Sequence, residues 1–373
     1  MVYLDYASHS PVSKAALDAL IQAENRYIGN PMSKHTAGQM AKDELSRITG
    51  DMADFLQVQS SEIIFTSGAS EANNLAIKGI ARAYSYKGRH ILSTPLEHPS
   101  VSGALAFLQD EGYEIELLRI MPDGKIDLEY LDKAIRPDTV LVCVSAVDSE
   151  LGVIQPLAEI SEIIARHPSC HLHIDAAQAM GKIHVSMAGA STLSFSSHKF
   201  YGICGSGVLV KREGVVLEPL VHGGASTSIY RSGTPAVGLA ASCLVALEVS
   251  LKKQSCWHKS VVALREYLLN AFNAYPLVRI NSPHDGSPYI LNLSVKGVKG
   301  TRFVEALDKQ GICASVKSAC STDNAPSRPV MAVSRDKQNA LNSWRVSLSH
   351  MTTLEELDIF VREFERVYCK LTQ

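Results

Sequence analysis

From about residue 60 the chain repeats one pattern. Short apolar runs, "EIIFTS", "RHILSTP", "YEIELLRI", "TVLVCVSAV", "HLHIDAA", "STLSFSS" and "GSGVLVK", read as strands, and most are separated by segments with helical spacing such as "ASEANNLAIKGIARAYS". Strands that alternate with helices predict a largely parallel sheet with helices on both faces, the α/β class. Ligands in such sheets bind beyond the carboxyl ends of the strands. The residues to inspect are therefore Ser67 to Glu71, Glu97 and His98, Asp148 to Glu150, Asp175 to Gln178, and Ser196 to Lys199.

Past residue 250 the texture changes. A long helical stretch through "VVALREYLLNAFNAY" leads, after the break at "NSPHDGSPY", to "YILNLSV", "FVEALDKQGI" and "SWRVSLS", which alternate strand and helix again. The division expected is a large domain over residues 12–250 and a smaller α/β domain from residues 1–11 and 251–373. A chain of 373 residues, 46% hydrophobic, has enough apolar side chains for two cores. A formal net charge of -2 offers no basic footprint for a phosphate backbone, so direct nucleic-acid binding is not expected. The start "MVYLDYASHSPVSK" lacks the basic and apolar regions of a secretory signal, and no apolar run is long enough to span a bilayer. Eight cysteines with no C-x-x-C pair and no zinc spacing predict reduced, mostly buried thiols in the cytoplasm and no metal site.

Three strand ends suit one cofactor, pyridoxal 5'-phosphate, which needs an anion cradle, a negative partner for its ring nitrogen and an amine for its aldehyde. "FTSGASEANN" runs from a strand through Gly68 into a helix near Ser70, where backbone N–H groups and the helix dipole can hold a phosphate. "HIDAAQ" places Asp175 at the end of an apolar strand, where it can keep a pyridine nitrogen protonated. "SFSSHKFYG" places Lys199 at another, with Ser196 and His198 as further polar groups. Standing alone, each has an ordinary explanation: a helix capped by Ser70, a capping Asp175, a lysine opening a surface turn.

In order along the chain, "YLDYASHSP", "GNPMSKH", "FTSGASEANNLAIKG", "EHPSV", "ELGVIQPL", "HIDAAQAMGKI", "SFSSHKFYG", "HGGASTSIYRSGTPAV" and "KSACS" resemble the cysteine desulfurases of the class V aminotransferase group. The resemblance covers nearly the whole chain in one register. It implies pyridoxal-phosphate fold type I, with a mostly parallel seven-stranded-type sheet between helices and a smaller α/β domain. It implies Lys199 as the lysine linked to the cofactor and the acid/base at the substrate Cα, His98 as the ring stacked on the cofactor, Asp175 as the partner of the pyridine nitrogen, and Gln178 as a donor to the phenolic oxygen. Phosphate contacts fall to Ala69, Ser70, Ser196 and His198, with Thr234 reaching across from a second subunit of a homodimer. The substrate it implies is L-cysteine. Its carboxylate falls to Arg345 and Asn30, and its sulfur to Cys320 of the "SAC" motif, which becomes a persulfide and passes sulfur to an acceptor protein for iron–sulfur cluster assembly or tRNA thiolation.

Two of these roles also have local arguments. In "SWRVSLS" Trp344, Val346 and Leu348 share one face of a strand, which leaves Arg345 on the other, where its fork can make two parallel charged hydrogen bonds to a carboxylate. "ASVKSACSTDNAPSRP" has no apolar periodicity and reads as an exposed loop carrying a thiol, with Lys317 near enough to raise its thiolate fraction.

Departures from the family pattern are equally specific. "DSELG" stands where the family commonly reads "NNEIG", so Ser149 replaces an asparagine expected at the substrate, and a serine is shorter with fewer hydrogen bonds to offer. "YGICGSG" brings in Cys204, read as structural. By resemblance the catalytic loop is expected to be slightly short, and with "FVREFERVYCKLTQ" near the end, the extension by which housekeeping desulfurases engage a scaffold is expected to be lacking. A selenocysteine lyase, another class V aminotransferase, or a weak paralogue acting as a sulfur-relay or protein-binding subunit would share the residues around Lys199.

Overall fold

The computed structural model describes residues 1–373 apart from Ala225, Thr227 and residues 318–324. A short strand β1 (Val2–Tyr3) opens the chain and is followed by helices α1 (Lys14–Arg26) and α2 (Thr36–Leu56). Ser13 caps α1 by accepting from the Ala16 N–H, which satisfies one of the donors left open at a helix start.

The repeating pattern of the sequence then becomes one seven-stranded sheet. Its strands are β2 (Ile63–Thr66), β3 (His90–Ser93), β4 (Glu114–Leu117), β5 (Thr139–Ser145), β6 (His171–Asp175), β7 (Thr192–Ser196) and β8 (Gly207–Lys211), in the spatial order β2-β8-β7-β6-β5-β3-β4. Pairings among β4, β3, β5, β6 and β7 are parallel, and β8 alone runs against its neighbours β7 and β2. The crossovers are α3 (Ala69–Ala83), α4 (Pro99–Asp110), α5 (Leu128–Ala134) and α6 (Leu157–Ala165). Side chains alternate across the sheet: Val142 and Val144 of β5 join a core with α2 and α6, whereas Leu141 and Cys143 join a second core with α3 and α4. Both faces are thus covered, which is why β5 is buried at every position.

Helix α7 (Val237–Phe272) is 36 residues long and passes without a break through residue 250, where the composition suggested a boundary. Val237 to Leu247 belong to the large core, and Val261, Leu264, Leu268 and Phe272 to a separate one. That second core lies under an antiparallel sheet of β9 (Val278–Ile280), β10 (Ile290–Val295) and β12 (Ser343–Ser347), with α8 (Gly300–Asp308) and the C-terminal helix α11 (Leu354–Thr372). Between them lie β11 (Ile312–Cys313), α9 (Arg328–Ser334) and α10 (Lys337–Asn342). Strand β1 pairs with β11, and the Ser347 N–H donates to Leu4 O at 2.8 Å, so the N-terminal segment runs beside β12. Continuing from there, the Ser10 N–H donates to His198 O at 3.0 Å and the Ser13 N–H to Tyr201 O at 2.8 Å. One stretch of chain therefore joins the smaller sheet to the turn that carries Lys199.

Candidate active site

The strand ends converge on one cleft of about 320 Å³. Ala69, Ser70, His98, Ser149, Asp175, Gln178, Ser196, His198, Lys199 and Arg345 all line it, although they come from six separate stretches of sequence. Asn30 does not: it is exposed, and its Oδ1 accepts from the Met32 N–H at 2.9 Å, an ordinary turn contact. Thr234 lines a neighbouring cavity that shares Ser67 and Gly205 with the main cleft. Cys320 lies outside the described residues. At the edge of that segment Lys317 is buried and donates to Ala325 O.

The anion cradle follows from the β2–α3 turn. Helix α3 begins at Ala69 with Gly68 at its N-cap and no side-chain capping bond, so Ser70 sits inside the first turn and is not the cap. The N–H groups of that turn are open to a ligand. Strand β8 passes close beneath: a Cβ on Gly207 would lie 2.5 Å from Gly68 Cα, which no side chain can accommodate. Across the cradle, Ser196 Oγ and His198 Nδ1 are 2.8 Å apart. Burial, helped by the charge of Lys199, pushes the His198 pKa down to about 4, so the ring is neutral and offers a hydrogen bond rather than a charge.

Asp175 closes β6 and is 5% exposed. Its Oδ2 accepts from Asn73 Nδ2 at 2.8 Å and its Oδ1 from the Ala177 N–H at 2.9 Å. Asn73 is fixed in turn by His173 Nε2 at 3.0 Å and by the Ser194 hydroxyl. No ion pair to Asp175 is present among the described residues, so its partners are neutral and its charge is available to a cationic ring nitrogen. His98 caps α4 through Nδ1, which accepts from the Ser100 N–H at 3.1 Å. Burial and then Lys199 depress its pKa, against the pull of Asp175, and a neutral ring is what stacking on a cofactor requires. Behind it Glu97 is a buried strut. Its carboxylate accepts from Thr94 Oγ1 at 2.7 Å, the Ser145 N–H at 2.9 Å and Ser145 Oγ at 2.6 Å, tying the β3 end to the β5 end.

Lys199 ends a 3₁₀ turn (Ser197–Lys199) after β7, and its Nζ donates to the carbonyls of Ala7 and Ser8, each at 2.7 Å. Two residues on, Tyr201 sits at φ 69°, a left-handed conformation costly for a tyrosine. It is held there by the Ser10 hydroxyl on its N–H and by Ser349 at its phenol, both at 2.8 Å.

Arg345 is 1% exposed. Trp344, Val346 and Leu348 do face the smaller core, leaving the guanidinium in the cleft. Its Nη2 donates to Asp5 Oδ1 and Ser8 Oγ, both at 2.8 Å, its Nη1 to Ser149 O at 2.7 Å, and its buried Nε has no hydrogen-bond partner among the described residues. The contact from residue 149 is made by the backbone. The exchange of asparagine for Ser149 therefore leaves the hold on Arg345 intact and alters only the side chain that faces the cleft.

Two expectations about cysteine need correcting. Of the seven described cysteines Cys143, Cys170 and Cys243 are buried, but Cys204, Cys256 and Cys369 are exposed and Cys313 is half-buried, so these seven are not mostly interior. Cys204 is no packing residue: it lines the cleft beside Gly205. Three contributors escaped the sequence reading. Asn73 is a polar residue on the buried face of α3, Asp5 pairs with a residue 340 positions away, and Lys182 lies within "HIDAAQAMGKI" as a lysine in an otherwise apolar turn.

Among the described residues one histidine and carboxylate group has metal-ligand spacing: His90, Glu114 and Glu116, on β3 and β4. Arg136 already pairs with Glu114, and the Tyr130 hydroxyl donates to Glu116 at 2.6 Å.

An uncapped helix start, a buried carboxylate with neutral partners and an oriented amine fit pyridoxal phosphate: Ala69, Ser70, Ser196 and His198 could hold its phosphate, Asp175 could face its ring nitrogen and Lys199 its aldehyde. Comparison with known proteins supports the cofactor. Residues 2–360 match the family model for aminotransferase class-V. The chain is 35% identical to the cysteine desulfurase IscS of Dictyoglomus turgidum over 99% of its own length and 95% of that protein's. A solved structure of a NifS-like protein superposes with a TM-score of 0.93 at 30% identity, covering 99% of this chain and all of the other. A solved structure of SspA in complex with cysteine gives 0.82 at 29% identity, over 95% of this chain and all of that one.

Proposed function

The chain belongs to the aminotransferase class-V family and is a pyridoxal-phosphate-dependent cysteine desulfurase; from that premise we propose how its own residues divide the work. When bound, the cofactor supplies an aldehyde that captures amines and a protonated ring that draws electrons from the substrate Cα. Lys199 would hold that aldehyde. With L-cysteine in the cleft, the Lys199 amine, aimed by the Ala7 and Ser8 carbonyls, would remove the Cα proton. Asp175 keeps the ring nitrogen protonated, and the neutral His98 packs against the ring. Arg345 orients the substrate carboxylate, for which its buried, unpartnered Nε is one waiting donor.

Sulfur transfer falls to Cys320. Its thiolate attacks the substrate sulfur, forming an S–S bond as the Cβ–S bond breaks. The bonding pair stays on Cβ, which takes a proton, Lys199 returns the proton it took to Cα, and the products are L-alanine and a Cys320 persulfide, balanced without an external oxidant. The observation that carries this reading is that Lys199, Asp175, Gln178, Arg345 and the open start of α3 meet in one cleft. It is tested by incubating the holoenzyme with L-cysteine and no keto acid: alanine and protein persulfide are expected, whereas alanine only in the presence of a keto acid would make it a transaminase. Borohydride reduction of the holoenzyme should tag Lys199; a tag on another lysine overturns the site.

The active unit we propose is a homodimer in which Thr234 completes the partner's phosphate site. The cavity with Thr234 adjoins the cradle through Ser67 and Gly205; Ile229, five positions from Thr234, is exposed, and so are Ile21, Ile28, Met32 and Met40 on and around α1 and α2. Dilution to monomer should release cofactor; a monomer at full occupancy would refute the shared site. No helix among the described residues is long and apolar enough to cross a membrane. Cytoplasmic location, and a sulfur-acceptor protein serving iron–sulfur assembly or tRNA thiolation, complete the proposal. The partition into residues 12–250, and 1–11 with 251–373, is supported by the two separate cores along α7.

A further inference from the structure

Lys182 is 5% exposed and, among the described residues, makes one hydrogen bond: its Nζ donates to Gln178 Oε1 at 3.0 Å. The other end of the same carboxamide, Nε2, donates at 2.8 Å to Ala7 O, the carbonyl that also accepts from Lys199 Nζ. Lys182, Gln178, Ala7 and Lys199 thus form one chain of hydrogen bonds, and the lysine fixes which way the amide points. Reversing the amide would set its NH₂ against an amine and its oxygen against a carbonyl.

The amine cannot leave this position easily. Its turn is pinned by Gly181, where a Cβ would lie 2.9 Å from both Phe200 Cβ and Ser250 Cβ, and the Tyr289 ring stands 5.8 Å from Nζ. Among the described residues no carboxylate pairs with it: Asp5 is engaged by Arg345 and Asp175 by Asn73. The charged and titratable groups facing it are Lys199, His198, Arg345 and Tyr289. Burial first, then the Lys199 and Arg345 charges, push its pKa down to about 7, as expected of an amine kept for its hydrogen bond and not for an ion pair.

We propose that Lys182 is a positioning residue acting through Gln178, holding the carboxamide with its NH₂ edge toward Lys199 and the cofactor's phenolic oxygen. The inference rests on the assignment of this cleft to pyridoxal phosphate. A methionine of similar length fills the same space without the hydrogen bond, and a glutamine restores a donor. In the holoenzyme, Lys182→Met should raise the pH midpoint of the visible cofactor band by about half a unit or more, since a donor to the phenolate is loosened, and lower kcat about tenfold. Lys182→Gln should recover most of both. On a Gln178→Leu background Lys182→Met should add nothing, because the two residues act as one unit.

Effects that add across the two sites, or a Lys182→Met holoenzyme with parental midpoint and kcat, would overturn the inference. Should Lys182→Met fail to fold, the cycle is run with Lys182→Gln and Lys182→Leu, and equal behaviour of those two is the contrary result. A parent enzyme with no pH-dependent visible band would instead sink the cofactor assignment itself, so the two failures are distinguishable.

Discussion

Glu97 offers the sharpest stability experiment at the edge of the site. The carboxyl is fully enclosed and no cation pairs with it among the described residues. Burial outweighs its three hydrogen bonds and raises its pKa from 4.5 to about 7. Below pH 4.5 the group is protonated in folded and unfolded chain alike, and no penalty exists. Between there and pH 7 the unfolded chain ionises freely while the folded one does not, so stability falls as pH rises. Above pH 7 the loss is complete, at about 3 kcal/mol. Glu97→Gln reproduces the protonated form: Oε1 can accept from Thr94 and the Ser145 N–H, and Nε2 can donate to Ser145 Oγ. The variant should match the parent near pH 5 and exceed it near pH 8.5, where about 3 kcal/mol corresponds to a melting point about 4 °C higher for a chain of this length. Scanning calorimetry of both proteins at the two pH values measures it. A melting difference that is the same at both, or a variant less stable at pH 8.5, would refute the view of Glu97 as a carboxyl strained by burial.

Other consequences of the geometry are as direct. Arg345→Lys loses the fork that faces the substrate carboxylate, so KM for L-cysteine should rise about 10- to 100-fold with a smaller change in kcat; an equal fall in kcat at constant KM would place Arg345 in the chemistry instead. Gly207→Ala pushes a methyl group into Gly68 and should cost about 1–3 kcal/mol of stability and at least about tenfold in cofactor affinity, read by fluorescence titration of the apoenzyme. Unchanged affinity would show that the cradle tolerates displacement of Gly68.

Most strands of the large sheet were legible because they are short apolar runs bounded by turn residues, with β4 (EIEL) an alternating exception, and Asp175 and Lys199 were legible because a polar residue at the end of such a run must be used or exposed. Arg345 could be placed by alternation along β12. Helix α7 was harder: its first half is buried on several sides, from Val237 to Leu247, and so shows little of the one-faced periodicity that marks a surface helix. The tie between Arg345 and Asp5, and that between Asn73 and Asp175, join residues 340 and 102 positions apart, and no local pattern encodes such a contact. Asn30 and Thr234 were assigned by resemblance alone, and these are the two described residues of the expected site that the cleft of a single chain leaves out.

The central claim is a division of labour: the cleft around Lys199 activates L-cysteine, and Cys320 takes its sulfur. The most direct measurement is a single turnover without reductant, following the visible spectrum, alanine and protein persulfide in the parent and in Cys320→Ala. The parent should form alanine and persulfide in equal amounts. The variant should show the spectral change on adding L-cysteine and yield neither product, because Lys199, Asp175 and Arg345 are intact. Undiminished alanine from Cys320→Ala would contradict the claim.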